Sequence, residues 1–293
     1  MVKFSVIGGD ASSDLAKKIA RRLKVPYIKT ERKIFPDGES KIIISYIPKK
    51  SIVIVVQSTY PPVDTNLLEL LSISSKVQKC SSKVYAVIPY MGYARQDREF
   101  LDGEIVTIGV VGKLLKASGI KKILTVDIHS KLALKQLKIS SENVSAIDGL
   151  VKHFQKMKLK NPLVISPDLG GQERAKTFAN LLKTDFIALK KHRDRKTGKV
   201  NILSNKVEVR DRDLILVDDM ISTGGSIVKA TQFLKKQKCK RVFVACTHAL
   251  LVDNAAKNIK NAGVSQIIST NTIPGNSAKV DVSKVISDAL KSK

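Results

Sequence analysis

Apolar residues come along this chain in short unbroken runs. Between the runs lie longer stretches in which apolar positions recur every three or four residues. FSVIGG is followed by DLAKKIARRL, SIVIVVQ by NLLELLSISSKV, LVISPD by ERAKTFANLL, LILVDD by SIVKATQFLKKQ and VFVACTH by DNAAKNIKNA. VYAVIPY, ILTVDI, DFIAL and QIISTNT complete the series of runs. Unbroken β-branched runs predict strands covered on both faces, and the periodic stretches predict the helices that cover them. The predicted class is α/β, doubly wound, with mainly parallel sheets.

The pattern also repeats once. VIGGDASSDLAKKIARRLKVPYI, from Val6, aligns with VISPDLGGQERAKTFANLLKTDFI, from Val164. Further on, Cys80 falls opposite Cys239, and SIVIVVQSTYPP stands opposite DLILVDDMISTGG. Two copies of one unit fit this better than an array, which needs at least three repeats. The predicted domains are 1–145 and 146–293. The copies differ at one telling place: the second has Asp218-Asp219 where the first has Gln57-Ser58-Thr59.

Composition narrows the class. The chain has 293 residues, 43% of them hydrophobic, enough for two ordinary cores. Lys and Arg number 52 against 26 Asp and Glu, a net charge of +26. A polyanion partner would concentrate such charge on one face. Here the lysines are scattered and aromatics are few, which favours a solvated surface with basic pockets for small phosphorylated ligands and no nucleic-acid partner. Three cysteines without CxxC spacing exclude a zinc site or a disulfide framework and point to a reducing, cytoplasmic setting. No apolar run approaches membrane-spanning length, so no membrane partner is expected.

The chemistry concentrates in LILVDDMISTGGS, residues 214–226, where an apolar strand runs into two acids and a glycine turn. Ligands of open parallel sheets bind beyond the carboxyl ends of the strands. Paired carboxylates accept hydrogen bonds from a vicinal diol. The Thr223-Gly224-Gly225-Ser226 turn can aim backbone N–H groups at an anion, aided by the helix N-terminus with on the order of 0.3–1 kcal/mol. A sugar phosphate fits both halves. The plainer alternative is a capped strand–helix turn with incidental acids, although two unpartnered charges after an apolar strand are costly.

VDDMISTGGS resembles the phosphoribosyl-pyrophosphate loop of the phosphoribosyltransferase fold. FPDGES (35–40), PYMGYARQDRE (89–99), VDIHS (126–130), SPDLGGQERA (166–175) and ALKKHR (188–193) extend the likeness. Together, in order over nearly the whole chain, they resemble the ribose-phosphate pyrophosphokinase family. The resemblance implies two tandem phosphoribosyltransferase-type domains. It also implies transfer of the β,γ-pyrophosphoryl group of ATP to the anomeric hydroxyl of ribose 5-phosphate, with release of AMP. Asp218, Asp219, Ser222, Thr223, Gly224, Gly225 and Ser226 would hold the sugar phosphate, with Ser222 replacing an Asp common in the family. Lys191 and Arg193, in the polar connection KKHRDRKTGK (190–199), match the family's flexible catalytic loop, Arg193 also facing the sugar phosphate.

The same resemblance implies ATP binding by Phe35, Asp37, Gly38, Glu39, Arg95, Gln96 and Asp97. Phe35 can stack on adenine and Arg95 can pair with phosphate. Asp97 has the alternative of a structural ion pair with Arg98. Mg2+ is the implied cofactor. Its preference for oxygen favours Asp168, and Asp127 over His129; the family pattern assigns His129 together with Asp168, leaving Asp127 behind them. In the family the FPDGE loop reaches a neighbouring subunit, so a homo-oligomer of at least two chains is expected. A phosphoribosyltransferase would share the acidic loop but lack the ATP segments. A non-catalytic regulatory homologue would have lost the Lys-x-Arg pair, which this chain keeps.

Overall fold

The computed structural model describes residues 4–47, 49, 51–193, 200–202 and 207–291, with the backbone alone at 191–193 and 200–202. The chain divides into two compact units at Ser145/Ala146, and the segment from Val282 onward returns to the first. The expected second domain, 146–293, therefore ends earlier. The last helix packs against the first helix of unit one, and its hydroxyl Ser283 Oγ accepts from Arg22 Nε at 2.8 Å.

The first unit contains β1 (Phe4–Gly8), α1 (Ser13–Leu23), β2 (Tyr27–Ile34), β3 (Ser40–Ile44), β4 (Ile52–Val56) and α2 (Val63–Gln78). Next come β5 (Lys83–Ile88), α3 (Thr107–Ala117), β6 (Ile120–Val126), α4 (Lys131–Gln136) and β7 (Ser140–Val144). Its sheet runs β3-β2-β1-β4-β5-β6-β7, parallel throughout except for the β2–β3 hairpin. The all-apolar run IVIVV of β4 is wholly buried because helices cover both faces. α1 buries Leu15, Ala16, Ile19 and Ala20 along one stripe. It stops where Lys24 turns left-handed and its N–H caps Ala20 and Arg21 carbonyls, with Arg21 and Arg22 suiting the negative helix end.

The second unit holds α5 (Ile147–Gln155), β8 (Leu163–Ser166), α6 (Gln172–Leu182), β9 (Phe186–Ala188), β10 (Lys191–Arg193) and β11 (Val200–Ile202). β12 (Asp213–Ile221), α7 (Gly225–Lys236), β13 (Arg241–Ala249), α8 (Ala255–Asn261), β14 (Val264–Thr270) and β15 (Ala278–Val280) complete it; α9 (Ser283–Lys291) is the helix that joins the first unit. The parallel sheet runs β15-β14-β13-β12-β8-β9. Alternate residues of β12 feed opposite cores: Leu214 and Leu216 meet Ile227, Ala230 and Leu234 of α7, while Ile215 and Val217 meet Phe154 and Phe178.

The two sheets share one plan. Val6 of β1 registers with Ile54 of β4, which registers with Tyr85 of β5. Val164 of β8 registers with Ile215 of β12, which registers with Phe243 of β13. Stepping the same distance from Ile54 and Ile215 brings Gln57 opposite Asp218, and Ser58 opposite Asp219.

Candidate active site

β12 does not end at its acids, as the apolar run suggested, but continues through them to Ile221. Pairing with β13 sustains it, with Asp218 opposite Cys246 and Met220 opposite His248. On the other side β8 pairs only as far as Leu216, after which its chain turns away through Pro167–Gly171. The carboxylates of Asp218 and Asp219 thus emerge where the sheet opens, with side chains 21% and 8% exposed. Asp218 Oδ1 accepts the Asp219 N–H at 2.9 Å, and Arg174 of α6 stands back at 3.9 and 3.7 Å from the two acids. Burial, then the neighbouring Asp219 charge, pushes the Asp218 carboxyl well above the usual range, and the Arg174 charge only partly offsets this. Burial likewise raises the Cys246 thiol beneath them, and the acids add to it.

The turn that follows is built for backbone approach. Gly224 adopts φ 74° and caps α7, and a Cβ there would meet Ile259 Cδ1 at 2.7 Å. Beside it Gly225 faces open space. Ser222 is half-buried, and Thr223, Gly225 and Ser226 are exposed. A hollow of about 430 Å3 on the flank of α7 and α8 includes Thr223 and Gly225 but neither carboxylate, so it is an adjunct to this turn and not the diol site. Asp168 lies on the loop after β8, its Oδ1 accepting the Gly171 N–H at 3.1 Å, and its charge is felt at Asp218.

Lys191 and Arg193 depart from the expected irregular connection. They form β10, paired antiparallel with β11 through Lys191–Ile202 and Arg193–Val200. Their side chains, and residues 194–199 of the expected loop, lie outside the described residues.

The remaining candidates belong to the first unit. Phe35, Asp37, Gly38 and Glu39 make the tip of the β2–β3 hairpin. Gly38 takes φ 91°, the Phe35 N–H reaches Glu39 O at 2.8 Å, and Asp37 Oδ1 accepts the Glu39 N–H at 3.1 Å. Phe35 is partly exposed, its ring 5.5 Å from Lys33 Nζ. Arg95 and Gln96 are exposed after β5, with the Thr107 hydroxyl donating to Gln96 Oε1.

Asp97, by contrast, is 3% exposed and accepts from Arg98 Nε at 3.0 Å and from the Ser130 hydroxyl. Arg98 outweighs burial and holds its carboxyl below the usual range. Through Ser130, the N-cap of α4, Asp97 ties this segment to the exposed His129. Asp127 precedes His129 at φ 39° and is buried.

His129 is in the first unit and Asp168 in the second; among the described residues no group of three or more His, Cys, Asp or Glu is arranged around a common point. Arg174 was missed by sequence reasoning although it sits inside SPDLGGQERA; a cation one turn into a helix that faces paired acids was the available signal.

Comparison with known proteins decides the family. Residues 4–119 match the N-terminal domain of ribose phosphate pyrophosphokinase, and residues 133–283 match the phosphoribosyl transferase domain. The chain belongs to the ribose-phosphate pyrophosphokinase family.

It is 36% identical to the ribose-phosphate pyrophosphokinase of Sulfurisphaera tokodaii over 94% of this chain and 96% of that one. With the Methanobrevibacter smithii ribose-phosphate pyrophosphokinase it shares 35% identity over 98% and 99%. The crystal structure of phosphoribosylpyrophosphate synthetase from Mycobacterium smegmatis superposes with TM-score 0.88 at 24% identity, covering 99% of this chain and 98% of that one. That structural likeness confirms two tandem phosphoribosyltransferase-type domains. No described helix is long and apolar enough to cross a membrane.

Proposed function

We propose that the chain performs the ribose-phosphate pyrophosphokinase reaction with its sugar site at Asp218–Ser226. The supporting observation is the adjacent, largely buried carboxylate pair at the head of a glycine turn and a helix N-terminus. Hydroxyl groups of ribose would donate hydrogen bonds to the two adjacent carboxylates. The exposed N–H groups and hydroxyls of Thr223–Ser226 would receive the 5-phosphate. This orientation presents the anomeric oxygen to the β-phosphorus of ATP. The bond between the α,β-bridging oxygen and that phosphorus breaks, the new O–P bond forms, AMP leaves and the hydroxyl proton is released.

Such transfers need positioning and charge neutralisation more than covalent help. Arg95 suits the nucleotide phosphates, Phe35 the base, and Asp37 and Glu39 the base or ribose. Lys191 and Arg193 would meet charge developing on the transferred group. Asp97, clasped by Arg98 and Ser130, contributes by holding its segment.

Mg2+ fits the oxygen donors better than the nitrogen one. Asp168 supplies a carboxylate beside the acid pair, and Asp127 is an oxygen alternative on the loop of His129. Asp168 in the second unit and the His129 loop in the first are each proposed as a Mg2+ group, and Mg2+ when bound would neutralise phosphate charge.

Apolar Ile34 and Ile43 are exposed on the β2–β3 hairpin and Tyr46 just after it, which supports burial against another copy of the chain. The proposed setting is the cytoplasm.

AMP release from ATP and Mg2+ that depends on ribose 5-phosphate, and that Lys191→Ala abolishes, is the expected result. No such release from the purified wild-type chain would instead indicate a regulatory homologue.

A further inference from the structure

After β12 the second unit spends its strand-end turn on the proposed sugar phosphate. The turn at the matching place in the first unit, Gln57–Asn66, contains no acid pair and no glycine. Yet Gln57, Ser58 and Thr59 are polar and at most 2% exposed. Burying such groups is costly unless they are bonded, so their partners reveal what the turn does.

Most of those bonds run to the segment after β5. Ser58 Oγ accepts the Tyr90 N–H at 3.1 Å. The Thr59 N–H reaches Tyr90 O at 2.9 Å, and the Thr59 hydroxyl donates to the same carbonyl at 3.1 Å while accepting the Gly92 N–H at 2.7 Å. Gly92 is pressed so closely onto the turn that a Cβ would lie 2.8 Å from Thr59 O and from Val63 Cγ1. Its neighbour Tyr93 takes φ 62°, a left-handed conformation costly for a side-chain-bearing residue, and its hydroxyl donates to Asp64. Arg95 follows two residues later.

A second set of bonds runs to the root of the hairpin. Gln57 Nε2 donates to Glu69 Oε2 at 2.9 Å. Arg32 Nη1 donates to Glu69 Oε2 at 3.2 Å and to Asn66 Oδ1 at 3.3 Å, and Arg32 also pairs with Asp10. Glu69 is 1% exposed, so its charge and that of Arg32 are held against solvation. A buried pair of this kind contributes little net stability and is better explained as fixing one geometry. What it fixes is β2, three residues before Phe35.

We propose that the turn after β4, with Glu69 of α2, is the positioning frame for both nucleotide segments. Thr59 and Asp64 hold the Arg95–Gln96 stretch, and Glu69 with Asn66 holds the Phe35–Glu39 hairpin through Arg32. None of the four touches nucleotide. The inference rests on the reading of Arg95 and Phe35 as ATP-binding groups. It accounts for a buried polar turn at the place where the second unit has its acids.

The test is steady-state kinetics of the full chain, with melting temperature measured alongside. Thr59→Val should raise the KM for ATP about tenfold, from the lost bonds to Tyr90 and Gly92. The KM for ribose 5-phosphate should change less than about twofold. Thr59→Ser, which keeps the hydroxyl, should return the ATP value to near wild type. Glu69→Gln should show the same split, several-fold, through the hairpin.

Tyr93→Phe keeps the measurement possible if Thr59→Val fails to fold, and should raise the ATP value about threefold. A lowered melting temperature with both KM values unchanged would overturn the frame. Arg95→Ala separates the two readings. If it raises the ATP KM while Thr59→Val and Tyr93→Phe do not, the frame alone is wrong. If it leaves the ATP KM unchanged, the nucleotide assignment falls and takes the frame with it.

Discussion

At the end of β4 the first unit places neutral Gln57 and Ser58, both buried. Gln57 Nε2 bonds Glu69 and the Ser58 N–H bonds Ser12 Oγ, while Gln57 Oε1 has no hydrogen-bond partner among the described residues. At the matching register of β12 the second places Asp218 and Asp219, with the Arg174 guanidinium near 4 Å from each. One backbone plan thus supports a neutral turn bonded to neighbouring segments and a charged turn that is the proposed sugar site. The lesson is energetic. In the proposed reading, two adjacent buried carboxylates carry an electrostatic cost before the sugar binds, and the neutral turn of the first unit avoids it.

The comparison breaks most sharply at the hairpin β10–β11. If catalytic charge belongs to the second unit, Lys191→Ala should lower kcat by about 10³-fold or more with little change in ATP affinity. Equal losses in both would make the lysine a binding group only.

Next in size is a transplant of the first unit's strand end into the second. Asp218→Gln with Asp219→Ser should lower kcat/KM for ribose 5-phosphate about 10²-fold, since each hydrogen bond to a charged group contributes about 1.5–3 kcal/mol. An unchanged value would mean that the acids do not face the sugar.

Smaller is the contrast between adjacent glycines. Gly224→Ala meets both a left-handed backbone and Ile259, so it should weaken ribose 5-phosphate binding about tenfold; Gly225→Ala points into open space and should act far less.

Smallest is a change in stability. The Asp218 carboxyl is raised on folding, so its ionisation opposes folding fully above the folded pKa and not at all below the unfolded value of about 3.9. Asp218→Asn should therefore raise the ligand-free melting temperature by about 2–4 °C at pH 8, a gain that shrinks as pH falls.

Asp213, at the other end of β12, has the opposite sign. Burial opposes its charge, but Arg241 and the Lys160 N–H outweigh that and hold its carboxyl low. The stability it contributes is present above the unfolded pKa and is lost as pH falls through the folded one.

Much of this was legible in the amino-acid order. Central strands such as IVIVV and LILV announce themselves because burial on both faces demands unbroken apolar residues. The edge strand β7, SSENV, does not, and neither do KHR and VNI, which pair only with each other as β10 and β11 outside the two main sheets. The acids and glycines of 218–226 were readable as chemistry. That β12 runs through the acids was not, since pairing with β13 is a tertiary fact. Nor does any local pattern tell which sheet α9 covers. Glu69 was invisible for the same reason: a charge on the inner face of a helix acquires meaning only from what the fold sets opposite it.

The measurement that bears most directly on the central claim is a crystal structure of the chain with ribose 5-phosphate bound. The sugar hydroxyls should lie on Asp218 and Asp219, with the phosphate against the backbone of Thr223–Ser226. The same molecule seated instead at the first unit's Gln57–Asn66 turn would contradict the account.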